Sequence, residues 1–293
     1  MAPPLPLQLS AGSHGILLFH GLSSTPLELQ YLARGLNRAG YSVRLPVLKG
    51  YSHGLDSDRK PDFKAWIADA LAEFDAMREK YDTVAVGGLC MGASLALCVA
   101  ALRPTDVSAV MVLSTTLHFD GWANSWTRRL LPLAPYLPFA GRISVKESEP
   151  YGLKDERLRK WIAGQMNQSG ASDAGAAVLK VSGLVEAKKL MRQAKLGLGK
   201  ICAPTLVVHA VQDDVASPRS ANDVVTGVTS DVVRRVLLND SYHMISIDKE
   251  KFKVLAELKA FADACTNQHV TDKTDQISAR AVVNLSAQRV AAV

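Results

Sequence analysis

The sequence has few of the features that mark membrane, metal-binding or disulfide-stabilised proteins. Its 293 residues include only four cysteines, none in a C-x-x-C pair, so neither a zinc site nor a disulfide scaffold is predicted. No apolar run approaches the about 20 residues that a membrane-spanning helix needs. No lysine or arginine precedes Arg34, so the basic region of a signal peptide is missing as well. We therefore expect a reduced, cytoplasmic protein with no membrane segment, metal or cofactor.

A nucleic-acid partner is not indicated either. The net charge is +6, but the lysines and arginines are spread along the chain and aromatic residues make up only 6% of it. A nucleic-acid surface is typically a dense basic run with aromatic residues between the charges. With 48% hydrophobic residues, the composition is instead that of an ordinary globular protein with a sizeable core.

Apolar strands alternate with helical patterns along most of the chain. The run 16–20 is typical of a buried strand. Further strands are predicted at 41–46, 83–89, 107–113, 205–209 and 232–238, and helices from 26, from 61, at 91–102, from 218 and at 249–264. This alternation predicts an α/β fold with a mainly parallel sheet and helices on both faces.

The alternation stops near His118 and resumes at Pro204. The residues between them contain no convincing strand, but they include a proline-broken apolar stretch at 130–139 and a basic amphipathic helix at 186–195. Because a structureless connection of that length is uncommon, we predict an inserted helical cap. The predicted divisions are a core of 1–117 and 201–265, a cap of 118–200 and a tail of 266–293.

The first helix has a strong start signal. Thr25 is a helix-capping residue, Pro26 suits the first helical position, and Glu28 completes a capping box.

In the predicted cap, the aromatic residues Trp122, Trp126 and Tyr136 have two possible roles. They would either cover an acyl pocket or pack the cap onto the core.

The stretch Gly88-Leu89-Cys90-Met91-Gly92 has the spacing of a nucleophile elbow, G-x-S-x-G, with cysteine in place of serine. An elbow turns sharply from a strand into a helix, so its flanking positions must have almost no side chain. A predicted strand and a predicted helix lie on either side here, and the helix N-terminus favours negative charge. We therefore predict Cys90 as a nucleophile, and we expect Cys98, Cys202 and Cys265 to be buried thiols.

The partners that such a nucleophile needs follow other predicted strands. His243 lies on the loop before the last helix, where it can act as general base, and Asp213 and Asp214 follow the strand at 205–209. A carboxylate there would fix the imidazole tautomer and stabilise the imidazolium, although spacing does not choose between the two aspartates. Backbone N–H groups of Met91 and of Leu22, which follows His20-Gly21, are the candidates for an oxyanion hole.

These segments together resemble the α/β-hydrolase superfamily, and they are most similar to small capped carboxylesterases and monoacylglycerol-lipase-like enzymes. The matching segments are LLFHGLSSTPLELQYLARGLNRAGYSV, PVLKG, VAVGGLCMGASLAL, HAVQDDVASPRSAN and SYHMISIDKE, within about residues 14–262. The resemblance implies Asp213 as the acid and Leu22 as an oxyanion donor. It departs at Cys90, because those esterases have serine there; cysteine elbows occur in dienelactone hydrolases, polyhydroxyalkanoate synthases and some depolymerases.

The predicted function is that of a carboxylic ester hydrolase acting through an acyl-thioester on Cys90, with His243 and Asp213 as base and acid. The expected partner is a small-molecule acyl ester. One alternative is a thiol-dependent hydrolase or acyltransferase acting on hydroxyalkanoate oligomers such as those of 3-hydroxybutyrate. Another is a non-catalytic hydrolase scaffold in which the cysteine is a degraded nucleophile or a laboratory substitution.

Overall fold

The computed structural model describes residues 5–53, 60–123, 144–146, 149–169, 171–172, 175–176 and 178–267. Its strands are β1 (Leu7–Leu9), β2 (His14–Phe19), β3 (Ser42–Leu45), β4 (Thr83–Leu89), β5 (Val107–Leu113), β6 (Ser144–Lys146), β7 (Ala171–Ser172), β8 (Gly175–Ala176), β9 (Val178–Lys180), β10 (Thr205–Ala210) and β11 (Val233–Leu238). Seven of them form one sheet in the order β1-β3-β2-β4-β5-β10-β11.

The six strands from β3 to β11 in this sheet are parallel to one another, as predicted, and β1 pairs with β3 in the antiparallel direction. The strand β1 was not predicted. It is only three residues long, which is too short for a periodic pattern, and its pairing with β3 depends on a distant part of the chain.

Helices cover both faces of the sheet, which confirms the predicted α/β fold. They are α1 (Gln30–Arg38), α2 (Phe63–Arg78), α3 (Met91–Leu102), α4 (Glu156–Ser169), α5 (Val181–Gly197), α6 (Arg219–Gly227) and α7 (251–267). Alternate side chains of β2 face opposite ways: Leu17 and Phe19 pack against the face with α2 and α3, whereas Ile16 and Leu18 pack against the face with α1 and α7. None of the helices in the described ranges combines the length and hydrophobicity that crossing a bilayer requires.

The helix α3 is buried along almost its whole length. Its small side chains allow close approach to β4 and β5 on one side and to α5 on the other. The buried face of α5, which includes Ala187, Leu190 and Ala194, belongs to the same core as α3. This part of the predicted insertion therefore packs directly on the helix that follows Cys90.

Two details of the 118–200 region differ from the sequence expectation. The described residues contain short strands, with β6 paired to β9 and β7 paired to β8, whereas no strand was predicted there. These strands have two or three residues each, so they produce no periodic signal. The residues at 130–139, together with Trp126, lie outside the described residues, as does 268–293 of the predicted tail. The division into core, cap and tail stays a prediction.

Of the predicted capping box, the Thr25 cap is confirmed and the role of Glu28 is wrong. The Thr25 hydroxyl accepts a hydrogen bond from the Leu27 N–H, and Pro26 begins a 3-10 helix, Pro26–Leu29, ahead of α1. Glu28, however, does not turn back to cap Thr25. Its side chain is buried and accepts a hydrogen bond from the N–H of Gly21, a contact that the capping pattern does not predict.

Candidate active site

The candidate residues lie at one edge of the sheet. Cys90 directly follows β4, His20 directly follows β2, Asp213 follows β10 and His243 follows β11. Because these strands are parallel, their carboxyl ends meet at the same edge, which is where α/β sheets place their ligand sites. Residues far apart in the sequence are thus brought together there.

Cys90 has the backbone conformation of an elbow. Its φ of 58° and ψ of −120° lie in a region that residues with side chains rarely adopt. Its N–H donates to the Leu113 carbonyl oxygen at 3.0 Å, which anchors the turn to the neighbouring strand. A Cβ at Gly92 would overlap the Phe19 carbonyl oxygen, and one at Gly88 would overlap the backbone of Gly92. The two glycines are therefore needed for the turn, as the motif predicts.

The Cys90 side chain is partly exposed and lies at the first turn of α3. The Thr116 hydroxyl donates a hydrogen bond to its Sγ at 3.4 Å. A hydroxyl donor and a helix N-terminus both favour negative charge on sulfur. This setting suits a nucleophilic thiol and is unlike that of Cys98, which is buried in the core and whose pKa burial raises to about 12.

His243 and Asp213 form a buried pair. The Nδ1 of His243 lies 2.9 Å from Oδ1 and 2.8 Å from Oδ2 of Asp213. Asp213 Oδ1 also accepts the N–H groups of Val215 and Ala216 at 2.9 and 2.8 Å. With the carboxylate held in this way, Nδ1 carries the proton that it donates to Asp213, and Nε2 is the nitrogen left to exchange a proton with a neighbouring group.

Nε2 of His243 is buried and makes no hydrogen bond to a described residue. Cys90 is close enough for its sulfur to interact with the imidazole. Burial opposes the charged imidazole, but the Asp213 carboxylate and then Cys90 outweigh it and hold the pKa of His243 well above its ordinary value. Burial likewise opposes the Asp213 carboxylate, yet the charge of His243 keeps the pKa of Asp213 below its ordinary value.

Asp214 faces a different way from Asp213. Its Oδ1 accepts the backbone N–H of His243 at 3.2 Å, and its Oδ2 accepts the N–H of Gly152 at 3.1 Å. Burial raises the pKa of Asp214. Of the two adjacent aspartates, Asp213 contacts the imidazole, and Asp214 ties the His243 loop to the segment before α4.

The loop after β2 lies against Cys90. The His20 ring is buried; its Nδ1 lies 2.7 Å from the Gly21 carbonyl oxygen and its Nε2 lies 2.8 Å from Ser52 Oγ. A carbonyl only accepts, so Nδ1 carries the proton and Nε2 accepts from Ser52. Burial lowers the pKa of His20 to about 4, which keeps the ring neutral.

The backbone N–H groups of Leu22 and Met91 are the predicted oxyanion donors. Neither has a hydrogen-bond acceptor among the described residues. Leu22 lies two residues after His20, and Met91 is the first residue of α3, whose N–H is not used within the helix. Met91 follows Cys90 in the chain, and Leu22 follows Gly21, where an added Cβ would lie 3.6 Å from the Cβ of Cys90.

Sequence reasoning missed two buried groups next to this site. Glu28 lies beneath the Gly21 peptide, and His209 lies with its Nε2 3.4 Å from Asp213 Oδ2. His209 donates to the Ala216 carbonyl oxygen at 2.9 Å, so it braces the turn that holds Asp213. For both residues, the sequence offers one signal of a buried role: each is an ionisable residue within an apolar stretch.

Three other expectations have mixed outcomes. Cys98 is buried as predicted and Cys265 is partly buried, but Cys202 is exposed because it lies in the connection before β10. Trp122 is exposed and stacks edge-on against Tyr242, next to His243. Tyr136 lies outside the described residues.

Comparison with known proteins gives a consistent relationship. Residues 13–250 match the Hydrolase_4 family model, described as serine aminopeptidase, S33. A thermostable monoacylglycerol lipase of Bacillus sp. (strain H-257) is 24% identical over 84% of this chain and 89% of its own length. A carboxylesterase of Bacillus subtilis (strain 168) is 22% identical over 89% of this chain and 96% of its own length.

Among solved structures, a metagenome-derived lipolytic enzyme has the same fold, with a TM-score of 0.73 at 24% identity over 87% of this chain and 96% of that one. The family description names a serine enzyme, whereas the elbow of this chain has cysteine at position 90. The match spans the six parallel strands of the sheet, the elbow and the loops of Asp213 and His243. The chain therefore belongs to the Hydrolase_4 family of α/β-hydrolases.

Proposed function

We propose that this protein is a carboxylic ester hydrolase in which Cys90 is the nucleophile, His243 the general base and Asp213 the acid that orients it. The backbone N–H groups of Leu22 and Met91 act as the oxyanion hole. The observation that carries the proposal is the convergence of Cys90, His243 and Asp213 at one edge of the sheet, with the free Nε2 of His243 beside the thiol.

The reaction has two stages. His243 Nε2 takes the proton of the Cys90 thiol as Sγ attacks the ester carbonyl, and the oxyanion that forms accepts hydrogen bonds from Leu22 and Met91. The tetrahedral intermediate collapses, the alcohol leaves with the proton from His243, and a thioester remains on Cys90. His243 then deprotonates a water that attacks the thioester, which releases the carboxylic acid and restores the thiol.

The similar proteins favour an ester over other substrates. The curated relatives are a monoacylglycerol lipase and a carboxylesterase, so we propose a small acyl ester as the substrate. Cysteine at the elbow also supports hydroxyalkanoate oligomers as an alternative substrate class, because a thioester transfers its acyl group readily to a second hydroxyl. Esters of short fatty acids and 3-hydroxybutyrate oligomers are therefore the two substrate sets to compare.

The decisive experiment detects the acyl-enzyme. The chain is mixed briefly with p-nitrophenyl esters of increasing acyl length, and its intact mass and p-nitrophenol release are followed. We expect an acyl adduct that maps to Cys90 and is absent in Cys90→Ala. The matched control is Cys202→Ala, which removes an exposed thiol and is expected to leave turnover intact. Turnover retained in Cys90→Ala, or an adduct only on Cys202, would contradict the proposal.

A further inference from the structure

Glu28 is a buried carboxyl group that the proposed reaction does not use. Its side chain is only 1% exposed, and its Oε1 accepts the Gly21 N–H at 2.5 Å. A Cβ added at Gly21 would lie 3.3 Å from this Oε1 and 3.6 Å from the Cβ of Cys90. The Gly21 backbone therefore lies between the Glu28 carboxyl group and Cys90, close to both. A buried carboxyl is rare unless it has a specific partner.

The peptide groups on both sides of Gly21 are fixed by side chains. In the 20–21 peptide, the carbonyl oxygen of His20 accepts the Tyr51 hydroxyl at 2.7 Å and the Gly21 N–H donates to Glu28. In the 21–22 peptide, the Gly21 carbonyl oxygen accepts from His20 Nδ1 at 2.7 Å. Because a trans peptide is planar, its N–H points opposite to its carbonyl, so these contacts aim the Leu22 N–H away from the His20 ring.

Glycine would otherwise let this turn adopt several conformations. Gly21 has no side chain, and its φ and ψ angles are less restricted than those of other residues. The Tyr51 hydroxyl donor and the Glu28 acceptor at the 20–21 peptide restrict the rotation that Gly21 permits. An oxyanion donor needs this restriction, since its contribution depends on a geometry set before the reaction begins.

We propose that Glu28 is a positioning residue for the oxyanion hole. Its carboxyl group holds the Gly21 N–H so that the N–H of the next residue, Leu22, points at the site of the developing oxyanion. This rests on the proposed ester hydrolase function. Glu28 does not touch the substrate; it acts through the peptide of Gly21.

The ionisable groups around Glu28 are consistent with this role. Cys90 lies across Gly21, His20 precedes Gly21, and Tyr51 lies on the loop after β3. His243 is close enough for its charge to act on the carboxyl. Burial raises the pKa of Glu28 to about 7, while the Ser24 hydroxyl, the Gly21 N–H and the charge of His243 oppose that rise. In either protonation state an oxygen remains to accept the Gly21 N–H.

Two substitutions of Glu28 distinguish the effect of its side-chain length from the effect of its charge. Glu28→Gln keeps the length of the side chain and a carbonyl acceptor but has no charge, whereas Glu28→Asp keeps the charge and is one methylene too short. We expect kcat for a p-nitrophenyl ester to fall by about tenfold or more in Glu28→Asp and Glu28→Ala, with little change in KM, and to recover in large part in Glu28→Gln. Glu79→Gln, on the exposed end of α2, is the surface control.

The rate at which iodoacetamide alkylates Cys90 distinguishes a positioning role of Glu28 from a general loss of structure, because a loss of structure at the site would change this rate. This reaction forms no oxyanion, so we expect its rate to stay within about twofold in all three Glu28 variants. Equal falls in alkylation and turnover would mean that Glu28 only maintains the fold, and would overturn the positioning role. Full kcat in Glu28→Asp and Glu28→Ala would overturn it too. No acylation of Cys90 even in the unsubstituted chain would overturn the ester hydrolase proposal first, and the role of Glu28 with it.

Discussion

The Nδ1 atom of His243 lies within 2.9 Å of both carboxylate oxygens of Asp213. The carboxylate is itself fixed by two backbone N–H groups and is completely buried. A buried carboxylate in this position sets the tautomer of the imidazole and stabilises the imidazolium that forms during the reaction. The pair therefore determines which nitrogen of His243 faces Cys90.

Replacing Asp213 with asparagine should separate orientation from packing. The amide has nearly the same shape, but it lacks the negative charge and can present N–H to Nδ1. We expect kcat for a p-nitrophenyl ester to fall by about a hundredfold or more, with the fold retained as judged by circular dichroism. Asp231→Asn, at an exposed position, is the control. Activity within a few-fold of the unsubstituted chain would rule out Asp213 as the acid of the triad.

The pKa of His243 should depend on both neighbours. Asp213 and then Cys90 raise this pKa against the effect of burial. In an NMR titration of the imidazole signals, Asp213→Asn should lower the pKa of His243 most and Cys90→Ala should lower it less. An unchanged His243 titration in both variants would contradict the geometry described above.

The elbow glycines should be essential for stability. A Cβ at Gly92 meets the Phe19 carbonyl oxygen, and that backbone atom cannot move without disturbing β2. Gly92→Ala should therefore lower the free energy of unfolding by about 3 kcal/mol or more, measured by urea denaturation. Gly183→Ala is the matched control, because nothing lies within 4 Å of a Cβ at that position in α5. It should be neutral or stabilising by up to about 1 kcal/mol. Similar losses in the two variants would argue against a steric cause.

The fold and much of the site could be predicted because their signals are local. The strand 83–89 and the helix 91–102 have the bounds that the apolar pattern predicts. The glycines around Cys90 indicate a sharp turn without any knowledge of their neighbours. Parallel strands then bring the residues that follow them to one edge, so Cys90, Asp213 and His243 could be grouped from the order of the elements.

The rest depends on contacts between distant residues. The pattern at Thr25 and Glu28 fits a capping box, yet Glu28 bonds to Gly21, seven residues earlier in the chain, and no local rule predicts that choice. Spacing also does not distinguish Asp213 from Asp214, since their carboxylates differ only in which loop atoms face them. The short strands β6 to β9 have too few residues to form a pattern, so their pairing is visible only in three dimensions.

The buried carboxyl of Glu28 should make stability depend on pH in a way that Glu28→Gln removes. The pKa of Glu28 is raised from 4.5 to about 7, so between these values the folded chain keeps a proton that the unfolded chain has released. Its stabilising effect is complete below pH 4.5 and is lost as the pH rises through about 7, a change of about 3 kcal/mol. Glutamine does not titrate, so the difference in the free energy of unfolding between the two chains, measured by urea denaturation from pH 4.5 to 8, should change by this amount. The lowered pKa of His20 has the opposite pH dependence, but it is present in both chains and cancels. A Glu28→Gln profile parallel to that of the unsubstituted chain would show that Glu28 ionises normally in the folded chain.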